Sequence, residues 1–190
     1  MTTDAHRIKL LRELLAERIL VLDGAFGTFV LGENLSAADY GGPRYEGCNE
    51  NVVRTRPDLI RRMHDGFLEV GADIIETASF QASPIVLAEY SLEHDAHELN
   101  RLAAILAREQ AARFSTADKP RFVAGSIGPT TKSISVTGGV TFDQMCDGYQ
   151  VQAEGLIEGG ADILLLETVN DTLNCKAGLA GIDAAIEKLG

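Results

Sequence analysis

The chain has 190 residues, 45% of them hydrophobic and 24% charged, with a formal net charge of -11, which suits one globular domain with a sizeable core. That charge argues against nucleic acid or an anionic membrane as the main partner. No apolar run approaches the ~20 residues of a membrane helix. The opening MTTDAHRIK has no signal-peptide core, and three cysteines suit reduced thiols, so the sequence reads as cytoplasmic.

The first predicted element is an amphipathic helix from about Ala5 to Arg18, with Ile8, Leu11, Leu14 and Leu15 on one face, suited to covering the bottom of a barrel. Ile19–Leu22 is an unbroken apolar run, as expected of a strand buried on both faces. It stops at Asp23, and Gly24-Ala25-Phe26-Gly27-Thr28 reads as a tight turn. Gly27 to Arg56 is a long irregular stretch, a length usually functional or mobile, with a lid role in prospect. Pro57 then opens a helix whose buried stripe is Ile60, Met63, Phe67 and Val70 and whose stop is Gly71.

Asp73–Thr77 is the second strand. Ser83-Pro84 starts a helical region that breaks near Ser91 and resumes from about Asp95 to Phe114. Arg121–Ile127 is the third strand, ending at Gly128-Pro129, and a Gly- and Ser-rich loop covers Thr130–Val140. Thr141 and Gln144 have the spacing of a capping box. The helix that follows carries Met145, Tyr149, Leu156 and Ile157 and ends at Gly159-Gly160. Ile163–Leu166 is the fourth strand, and a last helix runs from Asp171 nearly to Gly190.

Strands alternating with helices imply an α/β chain with a parallel sheet. One joint recurs: Gly71-Ala-Asp-Ile-Ile-Glu-Thr77 returns as Gly160-Ala-Asp-Ile-Leu-Leu-Leu-Glu-Thr168, roughly 90 residues later, a spacing of two βα units. Four such units make either a small open sheet or the first half of an eightfold barrel. Strand-end carboxylates, in place of a glycine-rich dinucleotide fingerprint, favour the TIM-type half barrel preceded by an N-terminal helix.

The top of that sheet would collect Asp23, Glu76 and Glu167 from three strand ends. Asp23 and Glu167 can clamp an ammonium group, while bare amides of the Gly24–Gly27 turn can hold an anion. An α-amino acid carries both charges. The plainer alternative is that these carboxylates cap turns or pair with Arg or Lys, and Glu76 can keep a purely structural role in both copies of the repeat. Cys48, Cys146 and Cys175 lack zinc-ligand spacing and read as small core residues. His94 and His97 sit among Glu93, Asp95 and Glu98 as a solvated face, and the sequence assigns His6 and His64 no chemical role.

Several motifs occur in order along nearly the whole chain: LDGAFGT at Leu22–Thr28, GCNE at Gly47–Glu50, RPDLIRRMH at Arg56–His64, GADIIETASF at Gly71–Phe80, GSIGPT at Gly125–Thr130, TFD at Thr141–Asp143 and GGADILLLETVNDTLNCKA at Gly159–Ala177. In this the chain resembles the homocysteine-binding domain of cobalamin-dependent methionine synthase, within the homocysteine S-methyltransferase family. The resemblance implies a TIM barrel whose top face binds homocysteine and zinc. Asp23 and Glu167 would hold the substrate amino group, the amides around Gly24, Ala25, Phe26 and Gly27 would take its carboxylate, and Thr77 and Ser79 would line the pocket. The zinc-bound thiolate would attack methylcobalamin, which cobalamin- and folate-binding modules supply and recharge from methyltetrahydrofolate, in methionine biosynthesis.

The family's zinc cysteines lie on later strands, so the resemblance puts all metal ligands beyond Gly190, and Cys48, Cys146 and Cys175 do not match them. Residues 1–190 would then be the N-terminal half of the domain, inactive alone, with open sheet edges that favour self-association. Two alternatives stand beside this reading: a betaine- or S-methylmethionine-dependent homocysteine methyltransferase, and a non-catalytic amino-acid-binding half barrel.

Overall fold

The computed structural model describes residues 5–189; residues 1–4, the start of the segment searched for a signal-peptide core, and Gly190 lie outside the described residues. The helices are α1 (Ala5–Glu17), α2 (Phe26–Gly32), α3 (Val52–Thr55), α4 (Pro57–Val70), α5 (Pro84–Leu87), α6 (Ala96–Phe114), α7 (Phe142–Glu158) and α8 (Thr172–Leu189). The strands are β1 (Ile74–Glu76), β2 (Phe122–Ile127) and β3 (Ile163–Leu166). They form one parallel sheet in the order β1-β2-β3. Among the described residues no helix is long and apolar enough to cross a membrane.

The predicted first strand is corrected. Of Ile19–Leu22, only Leu22 makes a parallel bridge, to Ile74. The Val21 carbonyl accepts from the amides of Asp73 and Ile74, and the Asp23 amide donates to Ile74. Ile19 is 88% exposed and Val21 55%, because no strand among the described residues lies on the other flank. An apolar run there is an edge, with the unpaired backbone that edges carry.

Burial falls away from the centre of the sheet. All six residues of β2 are buried, while the four of β3 are half-buried. Side chains alternate as strand geometry requires. Ile75, Val123 and Ile127, with Leu164 and Leu166, pack into the core that includes Met145, Tyr149 and Leu156 of α7. Ile74, Phe122 and Ala124, with Ile163 and Leu165, face Leu11, Leu10 and Leu14 of α1 on the opposite side. Glu76, Ser126 and Glu167 occupy the same parity as this second set, at the carboxyl ends of their strands.

The repeated Gly-Ala-Asp joint has one job in both copies. Gly71 and Gly160 adopt φ of +112° and +94°, which glycine reaches without strain. Asp73 and Val21 exchange two bonds: Asp73 N–H to the Val21 carbonyl at 2.8 Å, and Val21 N–H to the Asp73 carboxylate at 2.9 Å. Asp162 and Val123 do the same, at 2.8 Å and 2.9 Å. Each buried carboxylate is neutralised from outside the strand, Asp73 by Arg18 at 2.8 Å and Asp162 by Arg7 at 2.6 Å and Arg108 at 2.8 Å. Arg7 lies in the first turn of α1 and Arg18 directly follows its last residue, so the N-terminal helix covers this end of the sheet, as expected.

The helical expectations need three adjustments. In α4, Val70 is 86% exposed, while Leu59, Ile60, Met63, His64 and Leu68 are buried; in the last turn Leu68 takes the core side, and Val70, next to Gly71, points to solvent. Gly24–Thr28 is no simple turn, since α2 begins at Phe26 with Ala25 as its N-cap. The stretch after it is a packed cap built of turns, short 3-10 helices and α3. Tyr40, Cys48, Val52 and Val53 are buried there, in the same core as Leu59 and Met63. The capping box forms as predicted, with Gln144 N–H donating to Thr141 Oγ1 and Thr141 N–H to Gln144 Oε1.

Candidate substrate-binding site

A cavity of about 480 Å³ opens at the carboxyl ends of the strands, between the sheet, the start of α2 and the cap. Ala25, Phe26, Gly27 and Thr28 line one wall, Asn49 and Glu50 a second, and Glu76, Thr77, Ser126, Glu167 and Thr168 the floor and far side. Leu31, Phe80 and Gln81 complete it. Among the described residues that line it there are three glutamates and no Lys, Arg or His. Such an electrostatic balance suits a cation.

Each carboxylate is held differently. Ser126 Oγ donates to Glu167 Oε1 at 2.7 Å, and the Glu167 amide is fixed to the Ile127 carbonyl at 3.0 Å. Thr168, next in the chain, sits at φ +56°, a conformation that costs a non-glycine residue energy and clusters at functional sites. Glu76 shares the cavity with Glu167; burial first, and the Glu167 charge second, push its carboxyl up to about 7. The Glu76 amide donates to Asp23 Oδ1 at 2.9 Å. Burial raises the Asp23 carboxyl to about 8, against that amide bond and with the charges of Glu76 and Glu167 adding to the rise. Glu50 is buried, accepts from the Gln81 amide at 3.1 Å, and has its carboxyl pushed up by desolvation.

Thr77 and Ser79 belong to a buried network beneath the floor. Their hydroxyls are 2.6 Å apart, Ser79 Oγ donates to the Ser126 carbonyl at 2.8 Å, and the Ser126 amide donates to Thr77 Oγ1 at 2.9 Å. Gln152 of α7 donates to the Ser79 carbonyl at 2.7 Å. Thr77 borders the cavity, whereas Ser79 is fully buried behind it, so its expected place in the lining is corrected to a supporting one. The two copies of Glu-Thr therefore diverge: Thr77 is internal, Thr168 exposed.

Of the other expected residues, Ala25, Phe26, Gly27 and Glu167 meet at the cavity. Phe26 is also largely buried in the core. Asp23 stands beside the lining through its bond to Glu76, and Gly24 packs near the Phe67 ring, outside the lining. Sequence reasoning missed Glu50, Gln81 and Ser126. For Glu50 the available signal was a lone acid amid residues that the core absorbs, Cys48, Val52 and Val53.

A match of the homocysteine S-methyltransferase family model covers residues 20–188. The chain belongs to that family. Among solved structures, the homocysteine methyltransferase MmuM from Escherichia coli in its oxidized form is 28% identical, with a TM-score of 0.74, over 94% of this chain and 62% of that one. Its metallated form gives 27%, 0.74, 94% and 63%, and its apo form 26%, 0.65, 92% and 59%. The chain thus spans less than two thirds of the length of these relatives.

The family's metal finds no matching donors among the described residues. No group of three or more His, Cys, Asp or Glu there is arranged to hold an ion. Cys48 is buried in the cap, with burial first pushing its thiol up to about 11, the reverse of what a metal-binding thiolate needs. Cys146 and Cys175 lie in α7 and α8, and no cysteine lines the cavity.

Proposed function

We propose that residues 1–190 are the N-terminal half of an eightfold TIM-type barrel, its first four βα units, in a homocysteine methyltransferase. In this reading the short Val21–Asp23 ladder on β1 stands for the first strand. The observation that carries the functional part is the cavity itself: two strand-end glutamates, a third from the cap and no basic residue in the lining, beside helix-start amides. Glu167, held by Ser126, and Asp23 take the ammonium of homocysteine. Amides at Phe26 and Gly27 take its carboxylate, with Gly24 and Ala25 shaping the approach and Thr77 supporting the floor. Charge-assisted bonds of this kind contribute about 1.5–3 kcal/mol each.

With both ends of the amino acid fixed, its thiol side chain is left to extend toward the open part of the cavity, where a positioned sulfur meets the methyl donor. Zinc, held by residues outside those described, would supply the thiolate. On the ordered motifs, we assign the donor as methylcobalamin in a methionine synthase. The 190-residue chain then binds homocysteine without transferring a methyl group. Isothermal titration of the chain with L-homocysteine tests this. Asp23→Ala and Glu167→Ala should each weaken binding by about tenfold or more, and unchanged affinity in both would sink the clamp. For the donor, an enzyme carrying this segment is given homocysteine with methylcobalamin or with S-methylmethionine. Methionine formed from the second alone would replace methionine synthase by a cobalamin-independent methyltransferase.

A further inference from the structure

Glu76 is surplus to a two-carboxylate clamp. It projects from the end of β1 between Asp23, whose carboxylate accepts the Glu76 amide proton, and Glu167 just beyond β3, with which it lines the same cavity. The other elements around the cavity bring Glu50 and Asn49 from the cap, Ser126 from β2, Thr168 after β3, and the Ala25–Thr28 start of α2. None is a cation. The guanidinium groups of Arg7, Arg18 and Arg108 are engaged at the opposite end of the sheet, by Asp73 and Asp162. A partly closed cavity with three glutamates and no cation among its lining residues has one local means of reducing its charge. That means is a proton.

We infer that in the ligand-free site Glu76 holds a proton shared with Glu167, and that an ammonium ligand binds by displacing it. This rests on the ammonium-binding reading above and adds Glu76 as a third residue of the site. The balance is simple: the carboxyl O–H bond of Glu76 breaks, the proton leaves to the buffer, and an N–H of the incoming ammonium takes its place between the two carboxylates. Nothing is oxidised or reduced. Binding is therefore linked to pH. Below the range of about 7 to 8 in which Glu76 and Asp23 titrate, each displaced proton adds about a tenfold rise in affinity per pH unit, one from Glu76 and one from Asp23; above it the dependence levels off.

Two measurements on the full chain test this. Infrared spectra of the ligand-free protein, followed across neutral pH, should contain a protonated-carboxyl band that titrates. Glu76→Gln should remove the component that titrates at about 7 and leave that of Asp23 at about 8, and Glu167→Gln should remove or shift the first. Wild-type protein without a titrating band, or a band untouched by both variants, would overturn the shared proton. Calorimetric titration with L-homocysteine below that range, in two buffers of different ionisation enthalpy, should release about one proton more per ligand in wild type than in folded Glu76→Gln, in which Asp23 still gives up its own. Equal proton release in the two proteins overturns the displacement. If homocysteine fails to bind, the functional reading falls, while the infrared band still decides where the proton sits.

Discussion

His64, on α4, is completely buried and neither ring nitrogen has a hydrogen-bond partner among the described residues. Desolvation alone pulls its pKa down from 6.5 to about 4, so the ring is neutral and leaves one donor and one acceptor unmet. Each unmet group costs about 1–3 kcal/mol. Leucine at this position removes both and favours the helix, so His64→Leu should stabilise the protein by about 2 kcal/mol at neutral pH. The acid limb gives a second reading. The folded state binds fewer protons at His64 than the unfolded state, so its contribution is full above 6.5 and is lost as pH falls through about 4. At about 1.4 kcal/mol per unit that gap is worth about 3 kcal/mol. Asp23 and Glu76 titrate in the opposite sense, so the comparison with the variant isolates His64. Urea unfolding followed by circular dichroism at neutral and mildly acidic pH measures both effects. A variant less stable than wild type, with an unchanged acid limb, would mean that His64 has a buried partner and that the reasoning fails.

Three further outcomes can be checked in the same way. Gly155→Ala would put a Cβ 2.3 Å from the His97 carbonyl and 2.9 Å from Asn100 Cβ, so α6 and α7 must separate; a loss of about 3 kcal/mol in urea unfolding is expected. Asp162→Asn leaves Arg7 and Arg108 short of their common carboxylate and should cost about 3 kcal/mol in urea unfolding. Asp23→Asn should help rather than harm stability at mildly alkaline pH. Its carboxyl is raised to about 8 in the fold, so its share of stability is full below the ordinary value of 3.8 and is lost as pH rises through about 8. A gain on the order of 2 kcal/mol, allowing for partial exposure, is read from thermal unfolding at that pH.

Much of the fold could be read because its signals are periodic or punctuated. The run through Val123 and Ile127 is apolar because β2 is covered on both faces, and the Gly-Ala-Asp joints repeat because each must turn through a left-handed glycine and set a carboxylate at the start of a strand, bonded to the strand beside it. Ile19–Leu22 misled because an apolar run records a demand for neighbours, and only Val21, Leu22 and Asp23 meet it on β1. Val70 followed the stripe of α4 in period, yet points to solvent in the last turn, where Leu68 takes the core side. The cap resisted prediction because Tyr40, Cys48, Val52 and Val53 are buried at no fixed interval. Glu50 and Gln81 were hidden with it. At the site, strand-end position located Glu167 and Asp23 and drew attention to Glu76. Ser79 required tertiary knowledge, since a hydroxyl facing a cavity and one buried behind it look alike in sequence.

The paired bonds at Asp73–Val21 and Asp162–Val123 act as index marks for the whole sheet. A one-residue slip in a parallel strand would turn every side chain to the other face, sending Glu76 or Glu167 among the helices and Ile75 or Leu166 toward the cavity. Holding the strands at their starts therefore fixes which residues emerge at their ends, several residues away. Arg7, Arg18 and Arg108 touch no residue of the cavity, yet by securing the two aspartates they set the frame in which its carboxylates converge.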